Sequence, residues 1–153
     1  MKYLRKLNIQ LIKGEYKNLV KGQVREPRQV YEVFQAIKDK NQETLIGVFL
    51  NTDLEVHSYD TLSIGGESTT LLLPEEIFER AIITKSRTFI LIHNHPSGNP
   101  TPSAQDREVI NILKSQSKVM NRTFLDCIIV GDGKYWSMFE EDDGGEYALG
   151  SVY

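Results

Sequence analysis

The chain has 153 residues, of which 40% are hydrophobic and 25% charged, a balance that fits one compact domain with a sizeable core and excludes wholesale disorder. No apolar run approaches the roughly 18 residues of a membrane span, and MKYLRKLNIQLIKGEYK lacks the uninterrupted apolar core of a signal peptide. Net charge is −3, and the single cysteine, Cys127, excludes an internal disulfide or a CxxC zinc site, so a cytoplasmic protein is expected.

The charge is uneven. Residues 1–30 carry eight Lys/Arg against two Glu, whereas residues 31–153 carry ten against nineteen. The acidic majority argues against a large nucleic-acid footprint, although the basic arm offers a surface for DNA or an acidic partner. Residues 1–27 read as this basic arm or as an edge strand, because LNIQLIKG alternates polar and apolar. PRQVYEVFQAIKDK sets Val30, Val33, Phe34 and Ile37 on one helical face, with Pro27 near the start.

ETLIGVFLN reads as a buried strand, and Asn51-Thr52-Asp53 turns it into a second, LEVHSYDTLSIGG. A short helix after Pro74 turns Ile77, Phe78, Ala81 and Ile82 inward, and TFILIH is a central strand. Ser103 opens a helix with Val109, Ile110 and Leu113 inside. FLDCIIVGDG and KYWSMFE are two closing strands around Gly131-Asp132-Gly133. The main domain is expected over residues 28–140, and the acidic tail at 141–153 is expected to be mobile unless a partner orders it. Strands with helices between them indicate an α/β layered domain, and its strand edges allow a homodimer.

The central strand runs into HNHPSGNPTPSAQD. Residues i and i+2 of a strand share a face, so His93 and His95 can converge on one ion while Asn94 points away. Zinc accepts two histidines and a carboxylate with a fourth position open, and Asp106 is the candidate carboxylate. Pro96, Pro100 and Pro102 restrict the intervening loop. Ser103-Ala104-Gln105-Asp106 also fits a helix capping box, which is the alternative role for those two residues.

The spacing of His93, His95, Ser103 and Asp106 resembles the JAMM signature of JAB/MPN+ metallohydrolases. With LDCIIVGDGKYWSM downstream, the stretch resembles the RadC-like branch, and the likeness runs from about Arg28 to Phe139. The resemblance implies a three-layer α/β/α JAB/MPN fold, cytidine deaminase-like, with a mixed central sheet. It also implies one zinc ion held by His93, His95 and Asp106. Ser103 would stabilise the developing oxyanion, and Glu43, in NQETLIGVFLN, would activate zinc-bound water. Hydrolysis of a peptide or isopeptide-linked protein follows, with a link to DNA repair.

Leu73 and Cys127 stand where the family often has histidine. Neither belongs to the ligand set. Zinc deaminases are excluded by the missing H-x-E and P-C-x-x-C elements. Two other functions remain open: a metal-dependent nuclease, and a non-catalytic binding module tied to DNA repair or mobile elements. His57 reads as a surface strand residue, Tyr135 and Trp136 as packing residues, and Asp126 as a candidate helper near the site.

Overall fold

In a computed structural model of the protein, residues 3–17, 20–64, 74–142 and 144–148 are described. The helix predicted from Pro27 splits into α1 (Pro27–Phe34) and a 3-10 segment (Gln35–Asp39). Gln29 Oε1 accepts from the backbone N–H groups of Arg25 and Glu26, capping the start. Val30, Phe34 and Ile37 are buried as their spacing requires.

The strands β1 (Thr44–Leu50), β2 (Val56–Ile64), β3 (Thr88–Asn94), β4 (Thr123–Val130) and β5 (Tyr135–Ser137) form one sheet in the order β2-β1-β3-β4-β5. The pair β3–β4 is parallel and the others are antiparallel, so the sheet is mixed. Parallel neighbours need a crossover, supplied by α3 (Ala104–Val119). α2 (Pro74–Ile83) precedes β3, and α4 (Met138–Asp142) follows β5.

Strand alternation divides the core into two clusters, one on each face of the sheet. Ile46, Val48, Ile90, Ile92 and Ile128 pack toward α1 with Phe34 and Ile37. Phe49, Phe89, Leu91 and Phe124 pack toward α2 and α3 with Phe78 and Leu113. These are the three layers expected of the α/β/α fold. β3 lies at the centre with every residue buried, so its C-terminal end is the most firmly held rim of the sheet.

Three local expectations are corrected. Among the described residues 3–17 there is no strand, and Leu7 and Leu11 are exposed. Alternation supplies an apolar side, but a strand also needs backbone partners. Residues 3–17 meet the sheet at Tyr59, whose hydroxyl oxygen accepts from Glu15 N–H at 2.6 Å. Ile82 is exposed because the inner stripe of α2 is already filled by Ile77, Phe78 and Ala81. KYWSMFE stops as a strand at Ser137, whose Oγ accepts from Glu140 N–H and turns the chain into α4.

The C-terminal segment is anchored at Tyr147, buried against Phe139 and hydrogen-bonded to Asp126. Residues 143 and 149–153 of the expected tail lie outside the described residues. The β3–β4 register skips Leu125, so Asp126 faces the α1 side, away from the histidines. It accepts from Ser137 Oγ and from Phe139 N–H as well as from Tyr147.

Burial pushes the Asp126 carboxyl up to about 7, outweighing these donors. A folded value above the ordinary 3.8 favours the protonated native form. The associated stability is complete at acid pH and is lost as pH rises from about 4 toward 7, on the order of 3–4 kcal/mol. Urea unfolding should show that decline in the wild type and a flatter profile in Asp126→Asn. An unchanged slope in the variant would assign the pH dependence elsewhere.

Candidate metal centre

At the end of β3, Leu45 of β1 pairs with His93, while Asn94 pairs with Val130 of β4. The ladder continues one step further, with His95 N–H donating to Val130 O at 3.3 Å. His93 and His95 therefore leave the same face of the sheet, the α3 side, as the i, i+2 spacing predicts. Their ring centroids are 5.1 Å apart.

The loop after His95 is held by more than its prolines. Gly98 N–H donates to His95 O, and Asp132 N–H from the β4–β5 hairpin donates to Gly98 O, both at 2.9 Å. Gly131 is required in that hairpin because a Cβ there would lie 2.6 Å from Gly98 O. Asn99 Oδ1 accepts from the backbone and hydroxyl of Thr101. The hairpin thus braces the loop that delivers Ser103 to the start of α3.

There the two readings of Ser103 and Asp106 prove compatible. Ser103 Oγ accepts from Asp106 N–H at 3.1 Å, and Ser103 N–H donates to Asp106 Oδ2 at 2.7 Å. This reciprocal cap fixes the carboxylate, which then reaches both histidines. Asp106 Oδ1 is 3.4 Å from His93 Nε2, and Oδ2 is 3.1 Å from His95 Nε2. Glu43, immediately before β1, approaches the other side of His93, with Oε1 3.1 Å from Nδ1. The ligand atoms of Glu43, His93, His95 and Asp106 all lie within 4.8 Å of one another.

Each imidazole is oriented by its far nitrogen. His95 Nδ1 is 2.8 Å from Asn99 O, an acceptor only, so Nδ1 carries the hydrogen. Glu43 imposes the same tautomer on His93. Both Nε2 atoms are thereby directed at Asp106 with lone pairs available to a cation. Where no cation is bound, a proton on His95 Nε2 donates to Asp106, which raises His95 above the ordinary imidazole value, against burial. Burial alone would raise Asp106, but its bond with His95, the nearby His93 and the Ser103 cap hold it well below the usual carboxylate range. Asp106 is thus an anion at neutral pH.

The donor set fits zinc. Two imidazole nitrogens and a carboxylate are a set that zinc accepts, and a different oxygen of Asp106 faces each Nε2 atom, at 3.4 and 3.1 Å. His93 is only 4% exposed, whereas Glu43 is 45% exposed and remains within reach of water.

Other sequence candidates lie elsewhere. His57 contacts Ser86 Oγ at 2.7 Å, and Asp126 serves the C-terminal anchor described above. Cys127 is buried, and burial pushes its thiol well up. Leu73 lies outside the described residues. Sequence reasoning missed the Asn99 carbonyl, since any residue offers that backbone acceptor. Among the described residues, no helix is long and apolar enough to cross a membrane.

The cap can be weighed by substitution. Ser103→Ala should lower stability by about 1 kcal/mol, measured by urea unfolding of the metal-free protein, and Ser103→Thr should restore most of it. Equal stability of wild type and Ser103→Ala would show that the cap does not hold α3.

Residues 24–144 match the model of the RadC-like JAB domain. A UPF0758 protein of Methanosarcina mazei is 33% identical over 122 residues, covering 79% of this chain and 53% of the relative. A UPF0758 protein of Chlorobium phaeovibrioides is 35% identical over 128 residues, covering 83% and 57%. One from Enterococcus faecalis is 38% identical over 122 residues, covering 79% and 53%. The chain thus spans little more than half the length of these relatives.

Proposed function

Because the chain belongs to the RadC-like JAB domain family, we propose that it is a zinc-dependent hydrolase of amide or isopeptide bonds, acting on a peptide or an isopeptide-linked protein. The observation that carries this reading is the convergence of Glu43, His93, His95 and Asp106 at one rim of the sheet. His93, His95 and Asp106 would hold the ion, with Glu43 and Ser103 left for chemistry.

When bound, zinc supplies a Lewis acid that can bring the pKa of a water to about 7. Glu43, partly exposed and fixed against His93, takes the proton from the attacking water and delivers it to the leaving amine. Ser103 spends an oxygen lone pair on its cap, so its hydroxyl hydrogen remains to donate. Directed at the developing oxyanion, that donor contributes about 3 kcal/mol. Asp106 Oδ2 accepts from Ser103 N–H, and its carboxyl is held well below the usual range, which suits it to be a ligand rather than a base.

A metal-dependent nuclease is less well supported. Two-metal phosphodiester chemistry calls for additional clustered carboxylates, and a single cluster of metal-ligating groups is found among the described residues. The test is cleavage of linear and isopeptide-linked peptides by the zinc-loaded protein. Cleavage should be abolished by a chelator and by Glu43→Gln; cleavage that persists in both would overturn the proposal.

A further inference from the structure

Asn94 sits between the two histidines of the motif and projects to the opposite face of the sheet. It is fully buried. Its Oδ1 accepts from Thr44 N–H at 2.7 Å, taking the place of a backbone ladder bond just beyond the last β1–β3 pair, Leu45 with His93. Its Nδ2 donates to Gln42 O at 3.3 Å and to Lys40 O at 3.4 Å. One carboxamide therefore holds the residues on both sides of Glu43.

That arrangement answers a problem set by Glu43 itself. Its segment lies outside any helix or strand, its side chain is 45% exposed, and its carboxylate meets His93. A side chain so placed owes its position to its backbone. Glu43 shares strand parity with Leu45, which packs toward α2 and α3, so a correctly held backbone aims it at the ligands. We infer that Asn94 is a positioning residue for Glu43: it contacts no reacting atom, but sets where the proposed base stands. Histidines at i and i+2 face the metal, and the residue between them locks the adjoining segment from behind. The inference rests on the hydrolase reading only for the task assigned to Glu43.

The carboxamide is specific to this task because it must accept and donate together. Serine is too short to reach the segment. Aspartate keeps the acceptor for Thr44 but replaces the donor with a second acceptor facing two carbonyl oxygens, a repulsive pairing. The test compares Asn94→Ser and Asn94→Asp with wild type and Glu43→Gln, without needing a substrate. Thr44 amide exchange is followed by NMR in the metal-free proteins, together with cobalt affinity and the pH midpoint of the cobalt absorption spectrum.

In Asn94→Ser, Thr44 should exchange at least about tenfold faster, because a protected amide is opened locally. Cobalt affinity should fall by no more than the roughly 10–100-fold that loss of an orienting partner costs, since no metal ligand is altered. Its spectral midpoint should move to that of Glu43→Gln, and Asn94→Asp should retain slow Thr44 exchange. A midpoint unchanged from wild type overturns the inference. So does loss of cobalt as complete as in His95→Ala, or unfolding of both variants, since Asn94 would then support the site or the fold as a whole. If wild type takes up no cobalt, the hydrolase reading fails and the positioning role falls with it. Exchange at Thr44 then still reports separately whether the clamp exists.

Discussion

Alanine at His95 or at Asp106 is expected to leave the purified protein without zinc, while the wild type carries a single ion per chain. Each substitution removes one of three proposed ligands. The loss should exceed the roughly 10–100-fold in affinity that outer partners of metal ligands typically cost. The Asp106 variant loses two functions, because this carboxylate also closes the cap on Ser103 N–H. Asp106→Asn separates them. Its amide oxygen can still accept from Ser103, so α3 should remain capped, yet the anion facing both histidines is gone. Elemental analysis and titration with zinc decide the matter. A wild type that is repeatedly metal-free and refuses added zinc would end the metallohydrolase reading, leaving Ser103 and Asp106 as a capped corner.

The second large effect is at Glu43. Glu43→Gln should keep its zinc yet lose about 10²–10⁴-fold in turnover, the usual contribution of a positioned acid-base group. Glutamine retains an oxygen that accepts from His93 Nδ1, so the tautomer that frees Nε2 survives. What it cannot do is take a proton. Glu43→Ala removes both properties and should also weaken zinc, as loss of an orienting partner does. The pair thus distinguishes a base from an orienting group. Equal turnover in Glu43→Gln and wild type, measured on the same peptide substrate, would remove Glu43 from the mechanism.

Much of the site was legible because it lies within one stretch of chain. From His93 to Asp106 the proposed ligands are linked by strand periodicity, a short restricted loop and a helix start, each with a local sequence signature. Glu43 was different. It is 50 residues from His93, and nothing in NQETLIGVFLN distinguishes it from Glu55 without the family resemblance. The edge-strand alternative for the arm and the continuation of KYWSMFE as a strand fail for a related cause. Alternation in LNIQLIKG indicates a strand but names no partner, and Ser137 becomes a cap only where its Oγ meets Glu140 N–H.

The α/β class, the buried central strand, the shared face of His93 and His95, and the capped start of α3 are all readable from the order of residues. All of these follow from backbone periodicity or from contacts a few residues apart. Without the family resemblance, only the folded chain reveals which glutamate joins the histidines; it also reveals that Asn94 grips the segment carrying it, and that Asp126 serves Tyr147 rather than the candidate metal site. Those outcomes depend on sheet register, where one skipped residue at Leu125 reverses the face a side chain occupies. Register is set by the packing of the whole core, which no local pattern records.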